Sequence, residues 1–206
     1  MTTQSRGAKM ANVSRKVLGH EWHMFFAYVF IVFRPGANPP THPQADDSPP
    51  ALVPKSWTHA EFDLYIAEAR LDVANQQAEK RDIRARAQII LTTAIILGGT
   101  IAASYGNNHD LCLRHTLLYI ASAAFTTLAG LGAAGIISGK SFIGTVSVPV
   151  LPQFPTGELH HAVATGYATH RKTGAETVAT LVTVLRICVL TLVLGAFLLA
   201  IAHVTS

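Results

Sequence analysis

The chain has 206 residues, of which 50% are hydrophobic and only 14% charged. Soluble domains average roughly 25% charged residues, so this composition and a mean hydropathy of +0.32 exclude an ordinary water-soluble globule and a disordered chain. Two cysteines exclude a disulfide scaffold and a multi-cysteine zinc site, and a nucleic-acid partner would need a basic patch rather than a net charge of +4 alone, so none is expected.

Residues 1–33 form a first segment. A basic stretch with Arg6, Lys9, Arg15 and Lys16 precedes the apolar run Phe25 to Phe33. That order suits a signal peptide, but no small-residue cleavage site closes it and Arg34-Pro35 comes directly after. The run is too short for a bilayer crossing, which takes ~20 apolar residues. Three readings stay open: an interfacial anchor, an uncleaved or pseudo signal, or an extension without a folded role, for which Met24 offers an alternative start.

Residues 34–55 hold seven of the ten prolines. Proline lacks an amide donor and disfavours helix in the residue before it, so this is a stiff linker. Residues 56–206 make up the third region.

Thr58-His59-Ala60-Glu61 has capping-box spacing and predicts a helix start. No proline interrupts the stretch from there to Ala103, and no glycine occurs in it before Gly98. Leu64, Ala67, Leu71, Ala74, Ala78 and Ala85 recur at heptad spacing, which predicts a coiled-coil-like stripe open to a partner helix. Charge ends at Arg86. Residues 87–105 then carry no Asp, Glu, Lys or Arg, and at ~1.5 Å per residue they cover about the hydrocarbon thickness of a bilayer. Two further uncharged runs lie at 116–138 and 187–203. The expected fold is therefore all-α: an integral membrane protein with three transmembrane helices and two long cytoplasmic helical extensions.

Arg114 is the one basic residue of loop 106–115 and the tail, and the other fifteen of the 16 lie elsewhere. The positive-inside bias then predicts a cytoplasmic N-terminus and an outside C-terminus. Between the second and third spans, residues 142–155 are β-branched and proline-punctuated and read as extended or looped. From Thr156 a helical pattern returns, with Leu159, Val163, Tyr167, His170, Gly174, Val178 and Leu181 on one face. Gly166 and Gly174 could kink it. It should run straight into the third span.

Few residues suggest chemistry. Ala134 to Ser141 fits a loose Walker A pattern, but a span precedes it and no magnesium-holding acidic strand accompanies it. His20-Glu21-Trp22-His23 is one residue short of the zincin spacing. His160, His161 and His170 read as a polar face, so no metal and no cofactor are expected. Cys112 and Cys188 fall on opposite sides of the predicted membrane and should be free thiols. No catalytic triad or carboxylate pair is present, and no charge lies within a span, which counts against a pump or a carrier. Gly130, Ala134 and Ser138, with Gly135 and Gly139, form small-xxx-small patterns on the second span. Such positions let helices approach closely in lipid, within a protomer or between copies.

The helix carrying Tyr65 to Arg70 and Asn75 to Arg86, entering a span directly, then a tight turn and a later helix with His170-Arg171-Lys172, resembles the small bacterial membrane effectors of the SLATT and Pycsar type. Their Ala-Asp-x-Lys-Ala-like element corresponds to Arg81-Asp82-Ile83-Arg84-Ala85, and the likeness covers residues 58–203. It implies a non-enzymatic protein of the bacterial inner membrane that oligomerises and damages the bilayer in antiphage defence. The trigger would be a nucleotide signal made by a cytoplasmic partner enzyme. The alternative is a structural membrane scaffold that recruits a cytoplasmic partner.

Overall fold

The computed structural model describes residue 19 and residues 21–34, 53–107, 112–139 and 158–205. Among them every regular element is a helix. Helix α1 covers 21–31, α2 is His59–Asn107, α3 is Leu113–Ser138 and α4 is Leu159–Thr205. Helices α2, α3 and α4 are each long and apolar enough to cross a membrane. The basic N-terminal stretch, most of the proline-rich linker and the 142–155 segment lie outside the described residues.

The start of α2 is fixed locally. The Thr58 amide and hydroxyl both donate to Glu61 Oε2, at 2.7 and 2.8 Å, and the Glu61 amide returns a longer 3.4 Å bond to Thr58 Oγ1. These reciprocal bonds satisfy amides that have no intrahelical acceptor. They also hold the Glu61 carboxyl below its ordinary range, the backbone bond contributing most. Trp57, just before the cap, packs edge-on against Phe62 with ring centroids 5.7 Å apart. This hydrophobic staple sets the angle at which the chain enters the helix.

The chain divides into two compact units. Of the described residues, one comprises 19, 21–34, 83–107, 112–139 and 182–205, and the other 53–82 and 158–181. In the second unit the N-terminal halves of α2 and α4 pack together. Asp63 faces His160 at 3.7 Å, Arg70 Nε donates to Tyr167 Oη at 3.3 Å, and Asp72 pairs with Arg171 at 2.9 Å. Gln76 donates to the Arg171 carbonyl. The partners climb both helices in step, so the pair is parallel.

The face α2 uses differs from the expected one. Phe62, Ile66, Ala69 and Val73 are buried, whereas Leu64 is 66% and Leu71 57% exposed. Ala67, Ala74, Ala78 and Ala85 are exposed too. Both stripes repeat at spacings of three and four, but only the one led by Phe62 continues the aromatic staple. The expected face of α4 does hold. Tyr167, Gly174, Val178 and Leu181 are buried and Leu159, Val163 and His170 half-buried. Gly166 and Gly174 do not interrupt the helix.

In the first unit, α1, α3 and the C-terminal halves of α2 and α4 pack around small residues. Ile83, Ala87, Ile90, Ala94 and Ile101 continue the buried rhythm of α2. Ile101, Tyr119 and Ala202 form a cluster where α3 begins. His115 Nε2 donates to the Thr205 carbonyl at 2.7 Å and ties the start of α3 to the end of α4. Most of each apolar window is surface, with only 22%, 44% and 33% buried along α2, α3 and α4. Ile95, Ile120 and Leu190 are among the large side chains left outside.

Candidate functional site

Two places combine close packing with polar chemistry. The first is the face of α3 that carries the small residues. Gly130 lies against α2, where an added Cβ would meet Ala94 Cβ at an ordinary 3.4 Å. Gly135 lies directly against the Tyr28 carbonyl of α1; an added Cβ would sit 2.8 Å from that carbonyl carbon and nearer still to its oxygen. Gly132 faces the Phe25 ring and Cys188 Sγ, at 2.6 and 2.7 Å from a hypothetical Cβ. Met24, Phe25 and Tyr28 are accordingly almost fully buried. The N-terminal aromatic run is thus a helix seated on α3 within the same chain, through Gly132 and Gly135.

Ala134 is half-buried, and Ser138 is exposed and bonds back to the Ala134 carbonyl. Gly139 ends the helix, donating its amide to Gly135 O, while its own carbonyl accepts from Arg84 Nη2 at 2.7 Å. A guanidinium at a helix C-terminus satisfies an orphan carbonyl and complements the helix dipole. Residues 134–138 are helical, so their amides serve the helix and form no phosphate cradle. The Lys140-Ser141 end of that motif lies outside the described residues, as does His20.

On another face of α3, Ser122 Oγ donates to the Gly195 carbonyl of α4 at 2.7 Å. A Cβ on Gly195 would lie 2.7 Å from Thr126 Oγ1 and 3.2 Å from the Ser122 carbonyl. Glycine is what lets α3 and α4 approach this closely. Thr191, also buried, bonds back to the Ile187 and Cys188 carbonyls.

The second place is a groove of about 360 Å³ between the N-terminal halves of α2 and α4. Asp63, Arg70 and His160 supply its polar groups, and Ile66, Leu159 and Val163 its apolar wall. The Tyr167 hydroxyl holds Arg70, whose guanidinium lies 5.9 Å from that ring's centroid, within cation–π range. His59 stacks edge-on against His160 at 4.8 Å. His161 Nε2 donates to the Val53 carbonyl and anchors the chain ahead of α2. A fixed guanidinium beside an apolar wall can hold a small amphipathic molecule with an anionic group. Among the described residues no group of three or more His, Cys, Asp or Glu could hold a metal ion. Both cysteines are free, Cys112 exposed and Cys188 buried.

Sequence reasoning found the Thr58 cap and named Gly130 and Gly135 as small-residue positions, but it did not name Gly132 or Gly195. It missed Arg84 as the partner of the α3 terminus, and it missed the Asp63–Arg70–His160 groove, whose members lie far apart in sequence. The Trp57-to-Phe62 spacing was an available signal for the buried face of α2. Comparison with family models, with curated proteins and with solved structures finds no match.

Proposed function

We propose that this chain is a non-enzymatic, multi-pass membrane effector that assembles as a homo-oligomer and changes the permeability of a bilayer. The observation that carries this reading is the build of α2 and α4. Each bears the polar groove on its N-terminal half and continues unbroken into an apolar half with most of its surface outside. Lipid is the solvent that suits that surface. A ligand or partner held at Arg70 and His160 can then act on helices that cross the bilayer. The Lys/Arg bias supports a cytoplasmic groove and N-terminus and an outside C-terminus. By resemblance to SLATT and Pycsar effectors, the setting is the bacterial inner membrane and the trigger a nucleotide signal from a partner enzyme.

The test is expression in bacteria with a membrane-potential dye. The wild type should depolarise cells, and Arg70→Ala should lose that effect at equal protein level. An unchanged potential at high wild-type expression overturns the reading. A scaffold function is the second reading, favoured by the exposed Leu64 and Leu71 on α2. It is supported instead if the potential holds and a cytoplasmic protein is retained that Leu64→Asp releases.

A further inference from the structure

Thr92, Thr93, Thr100, Thr165, Thr169 and Thr191 each donate their hydroxyl to the carbonyl four residues earlier. That local bond is how a helix normally hides a hydroxyl in apolar surroundings. Thr126 breaks the pattern. It is 3% exposed, and its Oγ1, turned toward Gly195, has no hydrogen-bond partner among the described residues. Tyr119, two turns earlier on α3, is 1% exposed and its hydroxyl is likewise unpartnered. Ser122 lies between them, fully buried, and spends its hydroxyl on the Gly195 carbonyl. Residues 119, 122 and 126 share one helix face by their spacing of three and four.

Leaving a buried donor unsatisfied opposes the state that buries it. Thr126 carries such a penalty on the closed α3–α4 seam, and Tyr119 carries one in its cluster with Ile101 and Ala202; both vanish if water enters. At Gly195 the α4 side of the seam carries no side chain; nearer the start of α3, Tyr119, Ile101, Ala202 and Leu199 pack together and must part for water to reach Thr126. Separation by about one water diameter, ~2.8 Å, would hydrate the whole row. Measured from residue 116, where the uncharged run of α3 begins, Thr126 lies about 15 Å along the helix, near the middle of a bilayer ~30 Å thick.

We propose that Tyr119, Ser122 and Thr126, the last two facing Gly195, line a crevice that, when it opens, admits water and small monovalent cations from the end where α3 begins to the centre of the membrane. Hydroxyl and carbonyl oxygens can replace part of a cation's hydration shell, and the row carries no fixed charge to exclude one. Such a crevice halves the hydrocarbon thickness left for an ion to cross. The inference rests on the permeability reading above and supplies its path.

The experiment uses the full chain, Cys112→Ser, in phosphatidylcholine–phosphatidylglycerol vesicles, with a permanently cationic thiosulfonate reagent on both sides. Thr126→Cys is compared with Val193→Cys, and Ser122→Cys with Phe197→Cys. Val193 and Phe197 are both 61% exposed on α4, at matching depths in its apolar run. The row positions should react at least tenfold faster than their controls. Rates equal to the controls overturn the proposal. Potassium leak from the same vesicles is the second measurement, and Thr126→Val, which removes only an unpartnered hydroxyl, should cut it at least fivefold without lowering thermal stability. Leak that Thr126→Val leaves intact overturns the crevice while the permeability reading survives. A reactive row in ion-tight vesicles supports the crevice and overturns the permeability reading.

Discussion

Glycines in this chain form a graded series of probes, and Gly135→Ala is the sharpest. The new Cβ would lie 2.8 Å from the Tyr28 carbonyl carbon, where ordinary contact begins at 3.4 Å. The obstacle is backbone, which cannot rotate aside, so α1 must back away from α3. Overpacking of this kind costs ~1–3 kcal/mol, and a backbone obstacle belongs at the upper end. Alanine returns ~1 kcal/mol of helix propensity at any helical glycine. Gly99 has nothing within 4 Å, so Gly99→Ala receives only that gain. The two variants should differ by ~2–3 kcal/mol, with Gly99→Ala at or above wild type. Gly132→Ala should fall between them, because its neighbours are the Phe25 ring and Cys188 Sγ, which can shift. Reversible unfolding in mixed micelles reads the order, and Trp22 fluorescence reports whether α1 has left its seat. Gly135→Ala as stable as Gly99→Ala would refute the seating of α1 on α3.

Thr58→Ala and Glu61→Gln should each speed amide exchange in the first turn of α2. Because its native bonds lower the Glu61 pKa, its contribution is present above the ordinary carboxylate value and lost as pH falls through the lowered one. Protection of that turn should therefore fall on acidification in the wild type and stay flat in Glu61→Gln; identical acid profiles would contradict the capping role. Arg84→Met removes the guanidinium from the Gly139 carbonyl and should cost about 1–3 kcal/mol, with Arg84→Lys recovering part of it. No loss in Arg84→Met would show that the α3 terminus needs no cap. In a homo-oligomer built on the exposed α2 stripe, Leu64→Cys and Leu71→Cys should form disulfides between copies while Ile66→Cys should not. Equal crosslinking at all three would remove the stripe from the interface.

Three long helices with the expected apolar runs were legible because each run is bounded by charge or a turn, and hydropathy needs no knowledge of neighbours. The Thr58–Glu61 cap was legible because it is local. The buried face of α2 was not. Leu64-Ala67-Leu71 and Phe62-Ile66-Ala69-Val73 obey the same rhythm, and only a partner helix decides between them. Small residues at Gly130 and Gly135 marked close approach but not its occupant. Gly130 meets α2, and Gly135 meets an N-terminal helix whose composition suits a signal or an anchor equally well. Arg84 and the Asp63–Arg70–His160 groove depend on side chains brought together across long sequence separations.

If α2, α3 and α4, each long and apolar enough to cross a membrane, do cross the bilayer, the groove and the C-terminus lie on opposite sides. Paired reporters test this directly, with alkaline phosphatase, active only outside the cytoplasm, and green fluorescent protein, fluorescent only within it, fused after Trp57 and after Ser206. The expected result is fluorescence without phosphatase activity at Trp57 and the reverse at Ser206. The same reporter active at both positions would mean an even number of crossings and would contradict the account.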